Sequence, residues 1–175
     1  MTNPDMIALS ARWRPMQPAD LAAVSDLSNR IHVDFPERRE VLEEKFRLYP
    51  AGCFSLTDDA DAILGYCFSH PWRFGPPPAL DTFLQALPQQ PDTYFIHDMT
   101  LDLPAQGRNL AAALVPVLVQ TARQVPVTHM MLVAVSGSSP FWGKMGFRRT
   151  EDEALQASAR AKYDEGAVHM ERQLA

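Results

Sequence analysis

The chain has 175 residues, 46% of them apolar and 21% charged, with a net charge of −5. That length and balance suit one soluble domain with a sizeable core. They exclude several classes: no Lys/Arg stripe marks a nucleic-acid surface, no apolar run approaches the roughly 20 residues of a membrane span, and the N-terminus lacks the apolar region of a signal peptide. Cys53 and Cys67 are the only cysteines. With no pairing framework they fit a reducing cytoplasm, and the absence of CxxC or HExxH spacing argues against a metal site.

Residues 1–10 read as a flexible tail, and Ala11–Pro15 as a short first strand. Gln17-Pro18-Ala19-Asp20 carries the marks of a helix start, and Leu21, Val24, Leu27 and Ile31 follow at helical spacing. A second helix is expected from Arg38 to Tyr49, stopped by Pro50. Gly52–Thr57 and Ala62–Ser69 read as a hairpin around the acidic turn Asp58–Asp61. His70–Pro78 is proline-rich and expected to be irregular, and Asp81–Leu87 is expected to form a short helix. Thr93–Leu103 is the central strand and Gly107–Gln124 the central helix, with an interior Pro116 expected to kink or shorten it. Thr128–Val135 is a nearly all-apolar strand. Ser136–Ser139 reads as a turn and N-cap, with Pro140 at or near the first position of a short helix over Phe141–Met145 that Gly146 ends. A short strand from Phe147, a polar loop or helix over Glu151–Tyr163 and a half-exposed strand over Ala167–Leu174 complete the chain. The order implies one domain, residues 1–175, with a mixed sheet and helices on its faces.

Two stretches carry chemistry. The first, Gln106-Gly107-Arg108-Asn109-Leu110-Ala111, joins a strand to a helix. Outward backbone amides at a helix N-terminus favour a pyrophosphate, Arg108 adds a charge, and Asn109 tolerates the left-handed conformation almost as Gly does. Taken alone, an ordinary polar connection fits as well. The second, Phe141-Trp142-Gly143-Lys144-Met145-Gly146-Phe147, is by itself a capped helical turn packing two aromatics.

In this order the two resemble the GNAT superfamily of N-acetyltransferases, which places a Gln/Arg-x-x-Gly-x-Gly/Ala loop after its fourth strand and later an aromatic helix ending in Gly-Phe. Here the loop reads QGRNLA, with Asn109 where Gly is usual, and the later motif reads FWGKMGF. The resemblance implies an α/β (α+β) fold: a mixed, mostly antiparallel sheet of six to seven strands, helices on both faces, and splayed central parallel strands. It implies acetyl-CoA as co-substrate, no metal, and an amine acceptor attacking the thioester directly; many such proteins dimerise, so a homodimer stays open. It further implies that the main chain at Met99, Leu101 and Leu103 pairs with the thioester and pantetheine arm, and that Gln106, Gly107, Arg108, Asn109, Leu110 and Ala111 hold the pyrophosphate. Trp142 stands where many members carry a Tyr that protonates the leaving thiolate, an acid that indole cannot replace; a non-catalytic acyl-CoA sensor of the same fold is therefore the rival reading.

His97 and Asp98 on the central strand are the catalytic candidates. Strand neighbours point to opposite faces, so one of them is expected to face the substrate, and His97 is preferred because its ordinary pKa of about 6.5 suits a general base. Asp98 then binds a cationic amine or is structural. Asp34, His70 and Trp72 are the candidate acceptor contacts; a structural corner fits His70 and Trp72 equally well, and a solvated loop fits Asp34 better.

Overall fold

A computed structural model describes residues 10–175; the tail expected over residues 1–10 lies outside the described residues except for Ser10. Among the described residues seven strands form one sheet: β1 (Ala11–Pro15), β2 (Cys53–Asp58), β3 (Ile63–Trp72), β4 (Thr93–Leu101), β5 (His129–Ala134), β6 (Arg148–Arg149) and β7 (Val168–Gln173), in the spatial order β1-β2-β3-β4-β5-β7-β6. Every pair is antiparallel except β4 with β5. That parallel pair needs a crossover, supplied by helix α3 below.

The helices are α1 (Leu21–Ile31), α2 (Arg39–Leu48), α3 (Leu110–Ala122), α4 (Ser139–Lys144) and α5 (Glu153–Lys162). Alternation along each strand divides the core. Phe54, Cys67, Tyr94, Ile96, Met130 and Leu132 pack against Leu114, Val115, Leu118 and Val119 of α3. Their neighbours Cys53, Tyr66 and Phe68 face the other way, onto Leu21, Val24 and Leu27 of α1 and Leu42 of α2. The strands thus read as nearly continuous apolar runs, as expected for a sheet covered on both faces.

Three segments differ from expectation. Strand β3 continues through His70-Pro71-Trp72 instead of ending at Ser69. Beyond the Cys53–Phe68 pair, β3 has a ladder partner on the β4 side alone, so Pro71 can occupy the strand without an N–H. Residues 81–87 form no helix. Asp81 and Gln85 take positive φ values of 52° and 66°, and the Glu44 carboxylate accepts from the Leu84 and Gln85 amides. Tertiary partners here override local propensity. Helix α3 runs through Pro116 without a break; Pro116 is exposed, which leaves water within reach of the carbonyl that loses its partner.

Gly52 lies where the turn before β2 passes under β3. A Cβ on it would stand 2.0 Å from the Ser69 carbonyl oxygen and 2.6 Å from the Tyr94 hydroxyl. Gly52→Ala is therefore expected to lower stability in urea denaturation by at least about 3 kcal/mol, the upper end of what overpacked positions cost, because backbone and not a flexible side chain is in the way.

Candidate active site

Pairing between β4 and β5 covers four positions, from Thr93–His129 to Ile96–Leu132, and then stops. Both strands continue, β4 to Leu101 and β5 to Ala134, so the β5-facing edge of β4 from residue 97 onward has no ladder partner. A cleft of about 410 Å³ opens in that gap, and His97, Asp98, Met99, Thr100 and Leu101 all line it.

Strand β4 also carries one extra residue against β3. Phe68 pairs with Asp98 and Ser69 with Ile96, which leaves His97 unmatched in a bulge. The strict alternation assumed from sequence fails there. Asp98 lies opposite Phe68 and bonds Tyr66, both on the α1–α2 side, while His97 reaches Glu37, just before α2, and His70. Both candidates therefore face the α1–α2 side of the sheet, and the expectation that one of them points away is corrected.

Asp98 is held from two directions: the Tyr66 hydroxyl donates to Oδ2 at 2.7 Å and the Thr100 hydroxyl to Oδ1 at 2.8 Å. Thr100 Oγ1 also lies 2.8 Å from His32 Nε2. Because the hydroxyl gives its single proton to Asp98, it can only accept from His32, which fixes the His32 proton on Nε2.

His97 is buried with neither ring nitrogen hydrogen-bonded. Its nearest charge is Glu37, whose Oε1 is 3.7 Å from His97 Nε2 and whose Oε2 accepts from Lys45 Nζ at 3.1 Å. Burial alone would raise the Glu37 carboxyl; His97 and Lys45 outweigh it and hold Glu37 well below the usual carboxylate range. His70 lies under His97, ring centroids 6.0 Å apart. Burial, with the His97 ring nearby, pushes His70 down to about 3.

The loop after β4 has the conformation its composition allows. Gly107 and Asn109 take φ values of 71° and 59°, and Asn109 caps α3 in the left-handed region. The first amides of α3 have no carbonyl before them in the helix. Gln106 and Ala111 line the cleft, while Gly107, Arg108 and Asn109 are exposed in the loop between them. Leu110 is anchored by its carbonyl, which accepts from Trp13 Nε1 at 2.7 Å. At the far wall Trp142 packs edge-on against Phe141 and Phe147, at 5.0 and 5.4 Å between ring centroids. Such a left-handed loop before a long helix, facing an unpaired strand edge, fits a coenzyme A pyrophosphate and pantetheine arm.

Other candidates lie elsewhere. Leu103 is 72% exposed in the helical turn that follows β4. Asp34 is exposed and does not line the cleft, and Trp72 lines a separate pocket with Phe74 and Leu87. Glu37, Thr100 and Tyr163 do line it. Tyr163 ends α5, and its hydroxyl donates to the Pro78 carbonyl at 3.3 Å; burial and the nearby Glu37 and Asp98 push its phenol up, so it stays protonated. No local pattern marks Glu37 or Tyr163, which reach the site only through the fold. Among the described residues, no group of three or more His, Cys, Asp or Glu is placed to hold a metal ion, and no helix is long and apolar enough to cross a membrane.

A sequence profile of the acetyltransferase (GNAT) family matches residues 21–147. The chain belongs to this family, and acyl transfer is its class of chemistry. Among proteins of curated function, none matches in sequence. Similar solved structures include the loading GNATL domain of CurA from Lyngbya majuscula, with a TM-score of 0.76 and 12% identity over 94% of this chain and 98% of that one. The GphF GNAT-like decarboxylase in complex with isobutyryl-CoA has a TM-score of 0.74 and 18% identity over 94% and 100%. Ard1 from Thermoplasma volcanium has a TM-score of 0.68 and 14% identity over 95% and 99%. At these identities the likeness is one of fold.

The buried histidine gives the site a pH signature. His70 is depressed in the folded state, so the unfolded chain binds the extra proton and stability falls as pH drops below His70's ordinary 6.5. His169, also lowered by burial, adds in the same direction. Glu37, lowered, adds a second loss below its ordinary 4.5. Urea denaturation at pH 7 and pH 5 is expected to show a clear loss in the parent chain and a smaller one in His70→Phe.

Proposed function

We propose that this chain is an acetyl-CoA-dependent N-acetyltransferase that passes the acetyl group to a primary amine by direct attack. The observation that carries the reading is the meeting of three features at one point: the end of β4–β5 pairing, the bulge at His97, and an adjacent helix start with left-handed loop residues.

Acetyl-CoA supplies the activated acyl group. The main chain of Met99 and Leu101 offers the free strand edge along which a pantetheine arm can add, and the amides of 106–111 suit its pyrophosphate. Leu103, off the strand, is left out of this set. His97, with both ring nitrogens unpartnered, accepts the proton released when the amine nitrogen bonds to the acyl carbon. Glu37 orients that ring through its Nε2 edge. Asp98 draws in the amine cation, which releases one proton to solvent and so becomes the neutral nucleophile that attacks. The carbon–sulfur bond then breaks and the electron pair leaves on sulfur. Trp142 has no acidic proton for it. The thiolate therefore takes its proton from solvent as it leaves; Tyr163, the one phenol lining the cleft among the described residues, is made a weaker acid by burial and donates its hydrogen bond to the Pro78 carbonyl.

The test is calorimetric titration with acetyl-CoA followed by a free-thiol assay over an amine panel. His97→Ala is expected to bind acetyl-CoA with unchanged affinity and to lose about 10²–10⁴ in turnover, the usual range for a general base. No binding at millimolar acetyl-CoA would sink the proposal. Binding without turnover on any acceptor, unchanged by His97→Ala, would favour the acyl-CoA sensor.

A further inference from the structure

The arm of the cleft beyond His97 and Asp98 is walled by the end of α1, the segment leading into α2, Leu80 and the end of α5. Its apolar surface comes from Ile31, Phe35 and Leu80, and Phe35 is 43% exposed. Three carboxylates line the cleft, Glu37, Asp98 and Asp164, whereas no Lys or Arg among the described residues does.

The cations close by are already engaged. Arg30 pairs with Asp102 at 2.7 Å and Arg38 with Asp81 at 3.0 Å. Lys45 pairs with Glu37 at 3.1 Å, and Lys162 Nζ donates to the Pro77 carbonyl at 2.6 Å. Glu37 is thereby compensated. Asp98 is held by neutral hydroxyls of Tyr66 and Thr100, which fix its direction and leave its charge uncompensated, and the nearest ring nitrogen, His32 Nε2, is 3.8 Å away. An independent feature points to a ligand here: His97 lines the cleft, and its buried ring has both nitrogens unpartnered.

From this we infer that the acceptor is an organic cation, an amine on an aryl or alkyl body, with no carboxylate beside the amine. The inference rests on the acetyl-transfer reading above and narrows it. A hydrocarbon body lies on Phe35, Ile31 and Leu80 while the ammonium meets Asp98, with Asp164 adding to the field. A free amino acid brings its own carboxylate into the same space and finds no Lys or Arg to receive it, so like-charge repulsion rejects it.

Three probes separate charge from shape. 2-Phenylethylamine, phenylalanine amide and phenylalanine share one body, and the amide keeps the branch at the α-carbon without the charge. Thiol release from acetyl-CoA is expected with the first two, and kcat/KM for phenylalanine is expected to be lower than for its amide by on the order of 100-fold. In Asp164→Arg, with folding checked by acetyl-CoA affinity, the ratio of phenylalanine to amide is expected to rise about tenfold, because the rim then holds a partner for the carboxylate. Equal or better use of phenylalanine than of its amide overturns the inference and leaves acetyl transfer standing. So does turnover of glutamate with none of the cationic probes. An absence of thiol release with every amine and amino acid overturns the transfer reading and this inference with it.

Discussion

The site depends on two neighbouring departures from ladder geometry in one strand. Parallel pairing of β4 and β5 ends at Ile96–Leu132, and the very next residue, His97, is the extra one in the bulge against β3. The first departure frees a strand edge and opens a cleft. The second brings His97 and Asp98 to one side of the sheet at the place where the edge becomes free. A regular strand would have shown one of the two polar groups to α3 and its apolar layer. The fold therefore obtains a polar junction without placing an unpaired carboxylate or imidazole in the core beneath α3.

The α1–α2 side answers that junction with its own polar groups. Glu37 and Lys45 form an ion pair that is almost wholly buried. Such a pair adds little net stability against an apolar replacement, because desolvating both charges offsets their attraction. Its effect here is positional. One carboxylate oxygen is held by Lys45, leaving the other toward His97, and the Asp81 amide also donates to Glu37 Oε2. The segment around residue 81, α2 and the bulge of β4 are thus tied by a single side chain. On the opposite side of the cleft, Trp13 of β1 fixes the start of α3 through the Leu110 carbonyl, which ties that helix start to the edge of the sheet.

Much of this was legible from residue pattern. Turn residues and apolar spacing located the central strand, its loop and its helix, and Asn109 takes the left-handed conformation that its short amide allows. Pro140 lies in the first turn of α4 and Gly146, with φ 86°, follows its end, as helix-boundary chemistry predicts, although no serine side chain caps the start. The bulge was not legible, because an inserted residue changes the parity of a strand without changing its composition. Residues 81–87 have a helix-compatible pattern that is overruled by Glu44 and Arg38, both distant in sequence. Glu37 and Tyr163 lie in polar stretches with no signature and join the site through contacts that span the chain. The same limit applied to Asp34 and Trp72: order along the chain suggested a pocket, and the packing of α5 onto residues 77–78 put its wall elsewhere.

Cys53 and Cys67 are both free and buried, one in each apolar layer. Burial pushes the Cys53 thiol up to about 12 and the Cys67 thiol well above its ordinary value, so neither offers a thiolate to an electrophile while the chain is folded. A disulfide reporter added to the intact protein is thus silent toward it and responds to coenzyme alone. If protein thiols begin to react, the two apolar layers have separated from the sheet, and the same colour change becomes a clock for unfolding.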